Sequence, residues 1–113
     1  MIHPLRAKAQ IERNAQAYRR AFDALVEAFR ERPDDPSTKG VAAATEESLS
    51  RLLDALVRLE PVLTADLEAP VSSSVRAAVT RAHAERDPRL ALEISDLLTL
   101  PQVIEPSWET QGR

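Results

Sequence analysis

Residues 4–32 read PLRAKAQIERNAQAYRRAFDALVEAFRER, and this stretch decides the fold class. Its larger apolar residues recur at intervals of four and three, which places them on one stripe of an α-helix. The members of this stripe are Ile11, Ala15, Tyr18, Phe22, Leu25 and Phe29. The spacing predicts a long amphipathic helix over residues 4–32. We expect Tyr18, Phe22 and Phe29 to fill a core or a helix–helix interface, because aromatic residues at helical spacing normally do so.

A second stripe of the same helix consists of small residues that lie beside the large ones. Its members are Ala17, Ala21, Ala24 and Ala28. Together the two stripes cover roughly half of the helix circumference at 100° per residue, which is wider than one neighbouring helix requires. We therefore expect this helix to contact two neighbours, one of which can belong to another chain. The alanine edge would allow a close approach.

A second helix is predicted after the loop at residues 33–36. Asp35 followed by Pro36 is typical of a helix N-cap with proline at the first helical position. Six leucines then form an apolar face that predicts core. They are Leu49, Leu52, Leu53, Leu56, Leu59 and Leu63. Because Pro61 lacks an N–H and its ring collides with the preceding turn, we expect a kink or break just before it, or a restart through residues 62–68.

Two shorter helices are predicted in the second half of the chain. We expect Pro70 to end the preceding segment and one of the serines at 72–74 to cap the third helix. Its apolar positions are Val75, Ala78, Val79 and Ala82. Asp87-Pro88 repeats the pattern of a cap followed by proline and predicts a fourth helix that ends before Pro101. Its apolar positions are Leu90, Ile94, Leu97 and Leu98.

These elements predict an all-α protein, a compact bundle of four main helices in one domain that covers residues 1–100. The long first helix would lie antiparallel to a kinked second helix, and the third and fourth helices would form a short hairpin against them. A length of 113 residues leaves no room for a second domain. Residues 101–113 form a tail that is too apolar to be freely solvated and too rich in proline for a helix. We expect this tail to dock in an extended conformation, with Val103, Ile104 and Trp108 making the contact.

The composition excludes several classes of protein. The chain has no cysteine, which removes disulfide scaffolds, thiol nucleophiles and cysteine-type zinc sites, and makes a reducing cytoplasm the expected location. Charged residues interrupt every apolar stretch, so we expect no signal peptide and no membrane partner. The net charge of −3 is divided between a basic first helix and an acidic second helix. Arginine and alanine prevail over lysine, a bias of GC-rich genomes from which we expect a bacterial or phage origin.

His83 is the residue that comes closest to a chemical site. His83 and Asp87 are four residues apart, a spacing that can present two metal ligands on one helix face. Two ligands do not make a site, and the other histidine, His3, is far away in the sequence. We therefore interpret His83 as a border residue of a charged helix end. A phosphoacceptor role for His83 and phosphorylation of the serines at 72–74 are less favoured alternatives.

The sequence contains no recognisable catalytic signature. Neighbouring carboxylates on a helix diverge by 100° per residue and do not converge on one substrate bond. These carboxylates are Asp34-Asp35, Glu46-Glu47, and Asp66 with Glu68. The two glycines, Gly40 and Gly112, stand alone, so the sequence has no glycine-rich phosphate loop. We therefore predict that the protein is not an enzyme, and we expect no cofactor, metal or small-molecule substrate.

Direct binding to nucleic acid is an alternative, because the first helix carries many basic residues that could follow phosphates. They are Arg6, Lys8, Arg13, Arg19, Arg20, Arg30 and Arg32. Acidic residues are interleaved with them and the net charge is negative, which lowers the attraction. These acidic residues are Glu12, Asp23, Glu27 and Glu31. A mixed-charge face in contact with solvent is the better interpretation.

The leading hypothesis is a non-catalytic helical protein–protein interaction module, a structural, adaptor or chaperone-like subunit of a homo- or hetero-oligomer. The candidate interface residues are Ala17, Ala21, Ala24, Ala28, Val103, Ile104 and Trp108. The alternative is a regulatory nucleic-acid-associated protein that uses the arginine-bearing face of the first helix. A small metal-binding or enzymatic protein built around His83 is the least favoured hypothesis.

Overall fold

Four α-helices make up the computed structural model, which describes residues 2–99. They are α1 (Pro4–Glu31), α2 (Ser37–Leu63), α3 (Ala69–Glu85) and α4 (Pro88–Thr99). No strand occurs among residues 2–99, so the predicted all-α class is confirmed. The predicted tail at residues 101–113, which includes the proline expected to end α4, lies outside the described residues.

The longest helices, α1 and α2, run antiparallel and in close contact. Near the turn between them, the Thr38 hydroxyl donates a 3.0 Å hydrogen bond to the carbonyl of Arg32. Farther from the turn, the Thr45 hydroxyl donates a 3.1 Å hydrogen bond to the carbonyl of Ala21. A side chain this short can reach the backbone of a neighbouring helix only where small residues let the helices approach. The predicted close approach at the alanine edge therefore occurs, and α2 is the helix that makes it.

The core lies between α2 and the faces that the other helices turn toward it. The leucines of α2 predicted as core are buried, except that Leu63 is only partly buried. The buried ones are Leu49, Leu52, Leu53, Leu56 and Leu59. α1 contributes Ile11, and α3 contributes Val79 and Ala82. α4 turns Ala91 and Ile94 inward, whereas Leu97 is exposed and not buried as predicted. One leucine of α4 thus lies on the solvent side because the buried face is rotated toward Ala91.

α3 packs antiparallel to α2 through three polar contacts spaced along the two helices. They are Glu60–Arg76 (3.1 Å), Asp54–His83 (3.2 Å) and Glu46–Arg86 (3.1 Å). α4 lies against α1, α2 and α3. Arg19 of α1 forms an ion pair with Asp96 of α4 at 3.0 Å. The short helix α4 therefore closes the core over the N-terminal part of α1.

Aspartates lie at the starts of α2 and α4, although α2 begins at Ser37 with Pro36 in the N-cap position, one residue later than predicted. Asp35 Oδ1 accepts a 2.9 Å hydrogen bond from the N–H of Ser37, where α2 begins. Asp87 Oδ1 accepts a 3.2 Å hydrogen bond from the N–H of Leu90 in the first turn of α4. Each side chain satisfies a backbone donor that has no partner inside the helix.

Of the two outcomes predicted at Pro61, a break or a kink, the break does not occur. α2 continues through Pro61 to Leu63, and residues 64–68 are not helical. A proline inside a helix removes the hydrogen bond of its own nitrogen, and its ring crowds the carbonyl four residues earlier. The turns on both sides of Pro61 stay packed, since Leu59 and Glu60 are buried and Leu63 is partly buried. Tertiary contact therefore outweighs the local cost of the proline.

The predicted start of the third helix is also wrong. α3 begins at Ala69, so Pro70 opens this helix and does not end the segment before it. Proline suits the first turn because its missing N–H has no partner there and its φ is already helical. Ser72 therefore lies inside the helix, where its hydroxyl donates to the carbonyl of Ala69 at 3.2 Å.

The Asp35 cap makes the stability of α2 dependent on pH. The hydrogen bond from the Ser37 N–H lowers the pKa of Asp35 below its ordinary value of 3.8. The carboxylate therefore stabilises the fold fully above pH 3.8, and this contribution is lost as the pH falls through the lower, folded-state pKa. We expect Asp35→Ala to be less stable than the wild type above about pH 5, with a difference that shrinks on acidification. Urea denaturation between about pH 2 and pH 7 measures this difference.

Asp35→Asn is the matched control, because asparagine is also a good N-cap but does not titrate. Its stability should stay above that of Asp35→Ala, with no acid-dependent loss from this position. A wild type and Asp35→Ala that differ equally at every pH would contradict the assignment.

Candidate protein-interaction surface

The large apolar stripe of α1 is only partly covered by the rest of the chain. Toward the N-terminus Ile11 and Tyr18 are buried. Farther along, Phe22, Val26 and Phe29 expose 46%, 36% and 53% of their surface. Their spacing of four and three residues places them on the same side of the helix as the buried members. We call Phe22, Val26 and Phe29 the distal stripe.

The stripe loses its cover where α4 begins. α4 has 12 residues, which corresponds to about 18 Å, and Pro88 at its start lies beside Tyr18 and Phe22. Its other end lies near the start of α1, since Leu98 lines a groove together with Lys8. α4 thus runs away from the distal stripe. Among residues 2–99 no other helix takes its place.

The helix pair therefore projects beyond α3 and α4 as an arm. We define this arm as residues 22–46, with its tip at the turn 33–36 and its base beside the start of α4. An open groove runs near the tip, with Phe29 on the α1 side and Ala42 on the α2 side. At the base, Arg86 donates hydrogen bonds to Glu46 and to Ser50, which ties α2 to the end of α3.

The sequence predicts that the three aromatic residues of α1 fill a core or a helix–helix interface, and the structure places Tyr18 in the core. Tyr18 is buried, and its ring stacks on that of Phe22 with 6.1 Å between the centroids. Phe22 and Phe29 do not lie in the core of the chain, and within residues 2–99 no helix encloses them. Phe22 and Phe29 stay exposed because α4 is too short to extend over them. The periodicity of α1 shows which side is apolar, but not how far a neighbouring helix extends along it.

The four alanines predicted as an interface divide into two groups. Ala28 is buried and Ala21 is partly buried, and Ala21 lies where Thr45 of α2 approaches. Ala28 thus offers almost no surface to a partner. Ala17 and Ala24 are exposed. The other predicted contact residues, Val103, Ile104 and Trp108, lie outside the described residues.

Charged residues lie at both ends of the arm. The tip carries Asp34 and Asp35 together with Lys39 and with Arg32, whose charge acts on Asp35. At the base lies the exposed Arg89, two residues after the Asp87 carboxylate that caps α4. Asp34 and Arg89 thus lie at opposite ends of the distal stripe.

Tyr18 is buried at the base of the arm, where its ring packs against Phe22. Burial raises the pKa of its phenol above 10.0, and the nearby Glu46 carboxylate raises it further. The phenol is therefore neutral across the physiological range and acts as packing for Phe22. This position has no feature of an activated tyrosine.

His83 does not combine with Asp87. His83 Nε2 lies 3.2 Å from Asp54 Oδ1 on α2, whereas the carboxylate of Asp87 caps α4. Within residues 2–99 no three histidine or carboxylate side chains are placed to hold a metal ion together. The structure thus gives each of the two residues a different structural partner.

The arginine-bearing face of α1 lies away from the distal stripe. Arg6, Arg13 and Arg20 follow at intervals of seven residues and are exposed. Glu12 lies with Arg13 and Arg20 on one shallow surface, and Glu27 continues the row toward the tip. The basic side chains are thus mixed with acidic ones, as the sequence predicts.

The chain matches no protein-family model, and no curated protein or solved structure is significantly similar to it. Within residues 2–99, none of the helices combines the length and the apolar character that a membrane crossing needs.

Proposed function

We propose that the protein is a non-catalytic helical protein–protein interaction module that docks through the distal stripe. One observation carries this proposal: the apolar stripe that forms core under α4 continues onto the arm, where Phe22, Val26 and Phe29 are exposed. Exposed apolar residues that form a contiguous patch commonly mark a docking surface. Aromatic anchors of this kind are also frequent contributors to binding energy.

The energetic reason for docking is the half-exposed surface of the two phenylalanines. Full burial of a phenylalanine stabilises by about 1.5–3 kcal/mol, so covering the remaining half of each ring is worth roughly 1 kcal/mol. A partner helix that follows the stripe would cover Phe22, Val26 and Phe29 together. The contact would have the i, i+4, i+7 pattern of a helix bound in a groove.

The wider proposal keeps the other expectations from the sequence. The helices belong to one compact bundle domain, and Val103, Ile104 and Trp108 provide a second apolar docking segment. Ala17 and Ala24 form the rival surface on the other side of α1. The cysteine-free composition favours the cytoplasm as the place of action.

Nucleic-acid binding remains the second hypothesis and is less well supported. Arg6, Arg13 and Arg20 could contact phosphates. Glu12 and Glu27 lie in the same row, and their carboxylates would repel the phosphates. The arm, in contrast, presents apolar surface, which does not contribute to the electrostatic binding of phosphates.

The proposal is tested by photo-crosslinking in cells of the organism whose genome encodes the protein. A photoreactive phenylalanine analogue at Val26 should give a crosslinked protein band of discrete mass. The matched control places the analogue at Ala24, which is exposed on the same helix but outside the distal stripe. We expect at least about fivefold more crosslinked product at Val26, because covalent capture requires contact. A stronger band at Ala24 would move the interface to the alanine edge, and no band at either position would overturn the proposal.

A further inference from the structure

We infer that the distal stripe is covered by the arm of a second copy of this chain, packed antiparallel about a two-fold axis near Val26. This inference rests on the proposed function and names the partner. The distal stripe continues the apolar surface of α1 that α4 covers nearer the N-terminus, and α4 does not extend over it. A helix that continued the line of α4 beyond Pro88 would cover it, and α1 of a second arm has a complementary apolar face.

The first support is that the stripe is complementary to itself. Phe22 and Phe29 lie at almost equal distances on the two sides of Val26. In a two-fold antiparallel pair, Phe22 of one copy therefore lies opposite Phe29 of the other, and Val26 faces Val26. Such an isologous contact uses the same patch on both subunits and closes after two copies.

The second support is the charge at the two ends of the arm. Tyr18 lies eight residues before Val26, about 12 Å along α1, and Asp34 lies in the turn at the other end of α1, eight residues after Val26. The antiparallel arrangement thus brings the tip of one arm to the base of the other, where Arg89 lies beside Tyr18. Asp34 and Arg89 are both exposed, and within residues 2–99 neither forms an ion pair.

The third support comes from the charges that flank the stripe. Asp23 and Arg30 lie on the same side of the distal stripe, away from α2. In an antiparallel helix pair, flanking positions of the same side face each other, so Asp23 of each copy approaches Arg30 of the other. Among residues 2–99, the ion pair that Arg30 forms is a loose contact of 3.9 Å to Glu27.

The C-terminal segment of the same chain is a less suitable occupant. It starts after Thr99, at the end of α4 that lies near Lys8 and away from the arm. It would have to turn back along about 18 Å of α4 before it reached Phe22. A second copy reaches the distal stripe without such a reversal. It also supplies the Asp34–Arg89 and Asp23–Arg30 pairs symmetrically, which the C-terminal segment does not.

The size of the contact sets the expected affinity. The antiparallel contact runs from Tyr18 to the tip, about 12 Å along α1 on the Tyr18 side of Val26 and a similar length on the other, and it is two helices wide, or roughly 20 Å. This footprint is at the low end of specific interfaces, so we expect a dissociation constant of roughly 1–100 µM. The mass measured by light scattering or sedimentation should therefore rise from 12.5 kDa toward twice that value as concentration increases.

The deciding experiment is a charge swap between tip and base in the full chain. Asp34→Lys alone and Arg89→Glu alone each create two like-charge contacts in the symmetric dimer. We expect each variant to weaken association by about tenfold or more. In an equimolar mixture, each heterodimer has one wild-type contact and one exchanged contact, and both are attractive. The mixture should therefore regain the dimer mass, while circular dichroism confirms that both variants keep their helices.

Each other outcome contradicts the inference in a defined way. Single variants that associate like the wild type, or a mixture that stays monomeric, would overturn the antiparallel arrangement. A wild type that remains at 12.5 kDa up to about 1 mM would overturn the second copy as occupant, as expected if the C-terminal segment covers the stripe. In that case a crosslink from Val26 to a different protein would leave the proposed function standing. Absence of that crosslink as well would remove both.

Discussion

Replacing Arg76 by methionine is expected to lower the free energy of unfolding by about 2–4 kcal/mol, although Arg76 is itself largely exposed. The reason is its partner. The Glu60 side chain is only 2% exposed, and Arg76 Nε donates to its Oε1 at 3.1 Å. Without the guanidinium, a buried carboxylate keeps one short hydrogen bond, the 2.6 Å contact from the Thr64 hydroxyl.

The estimate lies below the full cost of breaking a buried ion pair because Arg76 is 58% exposed and partly screened by solvent. Urea denaturation of purified variants measures the change. Arg81→Met is the matched control, since Arg81 is an exposed arginine of α3 that forms no ion pair within the described residues. It should change stability by less than about 0.5 kcal/mol.

A double variant separates the loss of the pair from the loss of the arginine. Glu60→Met combined with Arg76→Met removes the unpaired charge and should recover most of the stability, because apolar residues can replace a buried pair at little cost. Equal destabilisation by Arg76→Met and Arg81→Met would contradict the role assigned to Glu60.

Replacing Leu56 by alanine is expected to cost about 3–4 kcal/mol of unfolding free energy. Leu56 is completely buried in the face that α2 turns toward the core. The substitution removes buried apolar surface and leaves a cavity that the surrounding helices fill only partly. Thermal and chemical denaturation should both show the loss, with the helical spectrum of the native state retained.

The adjacent Val57 provides the control for this substitution. Val57 is 47% exposed, so Val57→Ala removes little buried surface and gains helix propensity. We expect a change of less than about 0.5 kcal/mol. Similar effects at positions 56 and 57 would mean that α2 does not present the face described.

Helix number and the main buried face could be predicted from the sequence because both depend on local pattern. The leucine spacing of α2 identifies its core side, and Asp35 and Asp87 mark two helix starts. Pro61 and Pro70 were misleading for a common reason. The effect of a proline depends on whether it falls in a first turn or on what packs around it, and neither is visible in the neighbouring residues.

The candidate site was only half visible in the sequence. The width of the apolar arc on α1 correctly indicates more than one contact. It does not tell which part of the arc is exposed, because that depends on where α4 begins beside Tyr18. The alanine edge was predicted as the interface, but α2 covers Ala21 and Ala28. The signal for Phe22 and Phe29 would have been a comparison of lengths: α1 has 28 residues, whereas α4 has 12.

The arm also determines where the protein first loses its order. Outside the arm, α1 and α2 pack against α3 and α4. Among residues 2–99, the arm is held only by the contact between α1 and α2, and it contains Gly40, a poor helix former. Its backbone amides therefore open at a lower free energy than global unfolding. A partner that binds the arm must also restrict these fluctuations, and the lost conformational entropy offsets part of the gain from contact. We therefore expect the proposed association through the arm to be reversible, with binding and local ordering as one coupled event.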